Sequence, residues 1–497
     1  MRMPLGDLTN ELHEKCAVFG IIGQQHDDQT GLEAARLTFY GLWALQHRGQ
    51  ESSGIASSDG SDIYRHSANG LVATVYREED LEQLKGHIAI GHNRYSTSGG
   101  NDECFNQPFV DYQNKIAFAH NGNLPDTTKL EAFLTARGIK IKELNDTGMM
   151  AAAVSSYVDE GLSLVEAIKQ AYPLFTGVFS AVAMDTNTLV AFRDQFGIRP
   201  LSLGAMNDGY VVASETCAFD TVGAKFLRDV EPGELIAITQ DGITSHQVIE
   251  GHQKLDIFEM VYFSRPDSLL LGKRVDSVRR NFGRAMAEEF NISADIIVPV
   301  PDSGIPAALG YSEASGIPFE MALIKNRYIH RTFIRPTEQL RARDLKMKLN
   351  PVIDTLKDQR VILVDDSIVR GTTMQHLVSM VFEAGAKEVH LLITCPPVRY
   401  PDFYGINTPK QSELIAAYMT EEEINEYVGA TSLRFLSFDN MIKATGLPVH
   451  MFSTSCFTGE YPCSIGKRNN EIFLLKPGET LPKSAHKPSL LANARSV

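Results

Sequence analysis

The sequence predicts two folds in series: a sheet-rich α+β half, then an α/β half built on a doubly wound parallel sheet. Three observations carry this. In the first half, short apolar segments recur at Cys16–Gly23, Ile116–Ala119, Val178–Ala183 and Val211–Ala213. A helical stretch follows the first of them, with Leu32, Ala35, Leu37, Leu42 and Leu45 as its apolar positions. In the second half, Val361–Thr373 (VILVDDSIVRGTT) opens with an apolar, mostly β-branched run, the mark of a strand buried on both faces. It leads into a helical pattern at Leu377, Val378, Val381 and Phe382 that stops at Gly385. Asp295–Gly304 (DIIVPVPDSG) is a second such strand, and helices and strands alternate on to Val389–Val398.

Composition narrows the function classes. A chain of 497 residues has room for two or three domains with sizeable cores. A net charge of −14 and a pI near 5.5 argue against a general nucleic-acid binder and against an anionic membrane surface. No apolar run approaches the ~18 residues of a spanning helix, and Met1–Lys15 has no hydrophobic segment of a secretory signal. The six cysteines, at 16, 104, 217, 395, 456 and 463, form no C-x-x-C and fit free thiols in a reducing cytoplasm. Cys104 and Cys217 are expected to pack.

The chemistry of the second half centres on the turn after Val361–Val364. Asp365 and Asp366 stand at the strand's carboxyl end, where paired carboxylates suit a sugar diol or a Mg2+ ion. Ser367, Arg370, Gly371, Thr372 and Thr373 then form a small, glycine-containing turn into a helix, whose backbone N–H groups and dipole favour phosphate. These thirteen residues resemble the phosphoribosyl-diphosphate (PRPP) motif of the type I phosphoribosyltransferases. The resemblance implies that Asp365, Asp366, Ser367, Arg370, Gly371, Thr372 and Thr373 hold PRPP. It also implies that Ser303, of Pro-Asp-Ser-Gly, joins Asp365 and Asp366 around one Mg2+ per subunit. Lys325–Lys348 carries eight Lys or Arg against two acids. Taken bare, it reads as a nucleic-acid patch or a solvated loop. Beside a PRPP turn the better reading is a lid over pyrophosphate, with Lys325, Arg327, Tyr328 and Arg331 matching the lid's start in that family.

In the first half, a cysteine opening a strand is by itself only a small buried hydrophobe. The segments CAVFGIIG (from Cys16), LQHRGQESSG, GHNRYST and HNGNL, in that order, resemble the N-terminal-nucleophile (class II) glutamine amidotransferases. The resemblance implies an αββα sandwich and a Cys16 freed by removal of residues 1–15 as a propeptide. Its α-amine would then serve as the base for its own thiol. It further implies an oxyanion hole from the Asn121 side chain and the Gly122 N–H. Arg94 would clamp the glutamine α-carboxylate, Asp146 would hold the α-ammonium, and Arg48 would lie in the glutamine loop over the nucleophile. The chain departs from the pattern at Gly148, where the family usually has glutamate.

The expected boundaries are 1–15 for the propeptide, 16–250 for the glutaminase domain, 251–470 for the phosphoribosyltransferase domain and 471–497 for a flexible tail. A class II glutaminase ahead of a type I phosphoribosyltransferase implies one coupled reaction. PRPP, glutamine and water give 5-phosphoribosylamine, glutamate and pyrophosphate, the opening step of purine synthesis, with ammonia passing through an internal channel. The same resemblance implies purine nucleotides as feedback inhibitors and a homotetramer or homodimer. One subgroup with a propeptide carries a [4Fe–4S] cluster on four cysteines. Here those positions read Asp256, Cys395, Ser453 and Cys456, so the cluster is expected to be absent, Cys463 being a conceivable substitute ligand. Two rival readings stand against this one. A PRPP-sensing regulator would not need Cys16, Arg94, Asn121, Gly122 and Asp146. A transferase making amino sugars or asparagine would not carry DDSIVRGTT.

Overall fold

The computed structural model describes residues 16–23, 33–95, 103–326, 348–404, 410–475 and 479–481. The predicted propeptide, and Arg327, Tyr328 and Arg331 of the predicted lid, lie outside the described residues.

Among the described residues, thirteen strands form the first half: β1 Ala17–Gly23, β2 Ser52–Ser58, β3 Ile63–Asn69, β4 Ile88–Arg94, β5 Phe109–Asp111, β6 Ile116–Asp126, β7 Thr176–Met184, β8 Leu189–Arg193, β9 Ser202–Met206, β10 Gly209–Ala213, β11 Lys225–Asp229, β12 Glu234–Thr239 and β13 Gly242–Gln247. They make two antiparallel sheets, ordered β11-β9-β10-β1-β4-β2-β3 and β13-β12-β8-β7-β6-β5. The period-two alternation of a strand explains the layering. Val18 and Ile22 of β1 face inward and pack with Ile90, Ala119, Val182 and Leu189 between the sheets. Ala17, Phe19 and Ile21 face outward under the helix Ala34–Ala44. On the far side, Phe118, Phe179 and Phe192 are covered by the helices Thr128–Ala136, Asp146–Asp159 and Leu164–Ala171. The result is the αββα sandwich.

In the second half, Ile296–Pro299, Arg360–Asp365, Glu388–Ile393 and Ser432–Phe435 pair in parallel in that order. Phe319 adds an isolated parallel bridge to Ile297 on the other side. The chain from Ile296–Pro299 thus travels one way through the helix Ile305–Ser315. The chain from Arg360–Asp365 travels the other way through Thr372–Glu383. With right-handed crossovers the two helices fall on opposite faces. The sheet is doubly wound, and its switch point lies between Ile296–Pro299 and Arg360–Asp365.

The halves are joined closely. Past β13 the chain returns along the first half, with His252 N–H donating to Gln195 O (2.9 Å) and Asp256 N–H to Ile198 O (3.0 Å). The first half therefore keeps its hold past the expected boundary at 250/251. Val178, Ile198, Phe403, Tyr404 and Ile465 form a small shared core. Part of the expected tail is held too. Phe473 N–H donates to Gln411 Oε1, Leu475 N–H to the Tyr400 hydroxyl, and Leu481 is buried with its N–H on Ala417 O.

Candidate active sites

Cys16, Arg94, Gly122 and Asp146 come from four separate stretches and line one narrow cavity, with Tyr95, Gln107, His120, Asn145 and Thr147. The sandwich brings them together. Cys16 precedes β1, Arg94 ends the adjacent β4, Gly122 lies in β6 of the facing sheet, and Asp146 begins the helix packed outside it. Cys16 sits in the left-handed region (φ 49°), which an L-residue adopts rarely and at some cost. Its thiol lies 3.8 Å from Tyr95 O. Asn121 is fully buried and does not line the cavity; among the described residues neither its Oδ1 nor its Nδ2 has a hydrogen-bond partner. Such an unmet buried amide is costly to keep. Gly122 is irreplaceable on steric grounds. Its φ is +152°, and a Cβ there would stand 2.0 Å from Val178 O on β7.

Side chains that sequence reasoning passed over fill the rest of this cavity. Gln107, His120 and Thr147 are joined by hydrogen bonds, and Asp146 accepts N–H bonds from Leu124 (Oδ2, 3.3 Å) and Thr147 (Oδ1, 2.9 Å). Burial pulls the pKa of His120 below the usual histidine value, and that of His92 well below it. Gly148 is buried in the first helical turn with its N–H on Asn145 Oδ1 (2.8 Å), and it does not line the cavity. The only sequence signal for His120 and Thr147 is adjacency to Asn121 and Asp146.

Arg48, expected in the loop over Cys16, does not line the cavity. It is buried behind Cys16, with Nε 3.4 Å from Cys16 O. Its guanidinium donates to Glu215 (2.6 Å) and twice to Glu259 (2.9 and 2.7 Å), the latter from the second half. Arg199 reaches the same Glu259 at 3.2 Å. Burial alone would raise the carboxyl pKa values, but His47 and Arg48 bring Glu215 well below the usual range, and Arg48 lowers Glu259. A charge lock therefore runs from the Cys16 carbonyl to the other domain. Its directly bonded partners lie up to 211 residues apart, so no local pattern announces it.

In the second half the two strand ends meet at the switch point. Val300 N–H donates to Val364 O (2.8 Å), and a Cβ on Gly304 would sit 2.4 Å from that oxygen, so the turn bearing Ser303 lies against the Asp365–Asp366 turn. Asp366 Oδ1 accepts from the Ser367 hydroxyl (2.6 Å), and Asp365 Oδ1 from Asp366 N–H (2.9 Å). Gly371 (φ 80°) turns the chain into the helix Thr372–Glu383. Thr372 Oγ1 is buried there with no hydrogen-bond partner among the described residues, a donor suited to phosphate at a helix N-terminus. Thr373 follows in the first turn, and Arg370 is paired with Glu413 (2.9 Å). Lys325 pairs with Asp302 (2.8 Å) beside Ser303. It stands at one end of a two-stranded ladder, Leu323–Lys325 with Leu349–Pro351, that ties together the two ends of the basic segment. Two carboxylates with hard oxygen donors fit Mg2+, which ordinarily takes its remaining ligands from substrate phosphates and water.

The four positions relevant to an iron–sulfur cluster also converge. Asp256 and Ser453 are paired across a short parallel ladder, and the Cys456 thiol, raised by burial, lies in the field of Asp256 and Cys395. Asp256 is ion-paired with Arg199 (3.2 Å) and accepts Phe258 N–H (3.0 Å). Two thiols, a hydroxyl and a paired carboxylate do not fit a four-thiolate cluster. Cys463 packs elsewhere, against the shared core at Phe403 and Tyr404.

Fold and sites together define a two-domain enzyme, a glutamine amidotransferase joined to a phosphoribosyltransferase. The family profile for the glutamine amidotransferase domain matches residues 92–221, and that for the phosphoribosyl transferase domain matches 270–407. The amidophosphoribosyltransferase of Synechocystis sp. is 44% identical over 467 residues, 93% of each chain. That of Bacillus subtilis (strain 168) is 43% identical over 91% of this chain and 95% of its own. The solved structure of the allosteric regulatory enzyme of purine biosynthesis superposes with a TM-score of 0.84 at 43% identity, covering 91% of this chain and 97% of that one. Glutamine PRPP amidotransferase from B. subtilis, complexed with ADP and GMP, gives 0.83 at 42% identity, covering 91% and 98%. The chain belongs to the amidophosphoribosyltransferase family.

Proposed function

We propose that this protein makes 5-phosphoribosylamine from PRPP with ammonia cut from glutamine, the first step of purine synthesis. The observation that carries the reading is the convergence of Cys16, Arg94, Gly122 and Asp146 on one cavity, in a chain whose other half places Asp365–Thr373 at a sheet switch point. Arg94 takes the glutamine α-carboxylate and Asp146 the α-ammonium. The Cys16 sulfur attacks the side-chain amide, while Asn121 Nδ2 and Gly122 N–H stabilise the oxyanion. The Cys16 α-amine, freed by loss of residues 1–15, takes the thiol proton and gives it to departing ammonia. Water then releases glutamate from the thioester.

Ammonia passes inside the protein to the anomeric carbon of PRPP and displaces pyrophosphate in line. The turn Ser367–Thr373 binds the 5-phosphate, and Asp365 and Asp366 face the ribose hydroxyls. One Mg2+ per subunit, held by Asp365 and Asp366 with Ser303 nearby, supplies neutralising charge to the diphosphate when bound. Lys325, Arg327, Tyr328 and Arg331 contribute cations and a hydroxyl on the pyrophosphate side. Arg48 has a different role from glutamine binding: it holds the carbonyl of Cys16.

We further propose a cytoplasmic homo-oligomer regulated by purine nucleotides; the ADP and GMP in the B. subtilis relative support the regulation. Among the described residues no helix is long and apolar enough to cross a membrane. The donor set at Asp256, Cys395, Ser453 and Cys456 favours a protein without an iron–sulfur cluster. Stoichiometric iron with a visible band in anaerobically purified protein would reverse that. The function is tested by measuring glutamate and pyrophosphate together from glutamine and PRPP. Equal yields, both requiring PRPP and Mg2+, are expected. Glutamate release with no pyrophosphate would refute the coupled reaction.

A further inference from the structure

The hydrogen bonds in the glutamine cavity fix the position of a proton. His120 N–H donates to Gln107 Oε1 at 2.7 Å, which turns the Gln107 amide nitrogen the other way. That nitrogen donates to Thr147 Oγ1 at 3.0 Å, and the same hydroxyl lies 2.8 Å from His120 Nδ1. A hydroxyl has one proton to give, and among the described residues no other acceptor is present for it, so Thr147 donates to Nδ1. The imidazole proton is left on Nε2. Burial opposes a second proton, so the ring is a neutral donor near pH 7. Nε2 is buried, has no hydrogen-bond partner among the described residues, and stands 3.7 Å from Asp146 Oδ2.

We propose that His120 is a positioning residue for amino-acid recognition, its Nε2–H steering the Asp146 carboxylate onto the substrate's α-ammonium while Gln107 and Thr147 hold the tautomer. The inference rests on the reading of Asp146 given above and deepens it. Asp146 already receives two backbone N–H groups and begins a helix, whose dipole favours its negative charge. A third donor on Oδ2 leaves one open direction for the incoming ammonium. A contraction of under an ångström, of the kind substrate binding brings, closes a charge-assisted hydrogen bond. The same tautomer prevents His120 from acting as the base for Cys16, because Nδ1 is occupied and Nε2 already carries its proton. The site so built admits amides that bear an α-ammonium and rejects those that do not.

The test compares glutamine with 4-carbamoylbutanoate, the same amide without the α-amine, in the full-length enzyme with PRPP. His120→Ala is expected to lower kcat/KM for glutamine by about tenfold, mainly through KM, and to change it for the des-amino amide by no more than about twofold. His120→Gln, which restores an N–H near the Nε2 position, recovers part of the loss. Thr147→Val, which frees the tautomer, gives the same selectivity at about threefold. Ammonia-dependent amination of PRPP reports folding, and if His120→Ala loses that as well, Thr147→Val decides. Equal losses on both amides, or no loss on glutamine, overturn the proposal. Asp146→Asn separates the two layers. If it leaves the preference for glutamine intact, the reading of Asp146 fails and the proposal with it. If it collapses the preference and His120→Ala does not, the proposal alone fails.

Discussion

The two sites of this chain solve opposite problems. The proposed glutamine cavity is narrow and assembled from distant stretches, and Gln107, His120 and Thr147 in it hold one another through hydrogen bonds. The proposed PRPP site is centred on one contiguous turn at a strand end, with Asp365, Ser367 and Arg370 partly exposed and Asp366 just beneath. Thioester chemistry needs fixed donors in a dry pocket, because the developing oxyanion is stabilised only by dipoles already in place. A phosphorylated sugar brings its own charges and metal, so backbone N–H groups and two carboxylates at a switch point suffice. Precision is carried by tertiary packing in the first site and by local backbone geometry in the second.

Variants sharpen that contrast, beginning with the largest effects. Asp366→Asn is expected to cut both glutamine- and ammonia-dependent amination by more than about 100-fold, since both routes meet at PRPP. An ammonia-dependent rate near wild type would remove the carboxylate pair from the PRPP site. Gly122→Ala places a methyl group against Val178 O at a left-handed φ. It should destabilise the glutaminase half by about 2–4 kcal/mol and abolish glutamine use, both measurable by thermal unfolding and glutamate release. Glu259→Gln keeps the shape of the charge lock but leaves part of the Arg48 and Arg199 charge uncompensated. Glutamine-dependent turnover should fall about tenfold and stability by about 1–3 kcal/mol, with the ammonia route near wild type.

The smallest effect is on pH. His92 and His120 have folded pKa values below the unfolded value near 6.5. The unfolded chain therefore binds protons that the folded chain refuses. Stability is complete above about pH 6.5 and declines as pH falls from there toward the folded pKa values. Replacing His92 with Gln should flatten the fall in unfolding midpoint between about pH 7 and 5.

The sequence exposed what is local and hid what is assembled. Asp365 to Thr373 was legible because a strand, a turn and a helix N-terminus are consecutive residues. Cys16, Arg94, Gly122 and Asp146 were legible only through resemblance, since nothing in their spacing says that they share a cavity. The partners of Arg48 were hidden for the same reason: Cys16, Glu215 and Glu259 are distant in sequence, and an arginine gives no local sign of facing a buried carboxylate. His120, Gln107 and Thr147 went unnoticed because their roles arise from hydrogen bonds among a strand, a loop and a helix. Polar composition suggested a loose tail, whereas Leu481 inserts into the core of the second half.

The most direct test of the account is Cys16→Ala, assayed for phosphoribosylamine formation with glutamine and, separately, with ammonium salts. The account predicts loss of glutamine-dependent synthesis by at least about 1,000-fold with ammonia-dependent synthesis retained. Persistent glutamine use would show that Cys16 is not the nucleophile. Loss of both routes in a folded protein would show that the two sites are not separable as described.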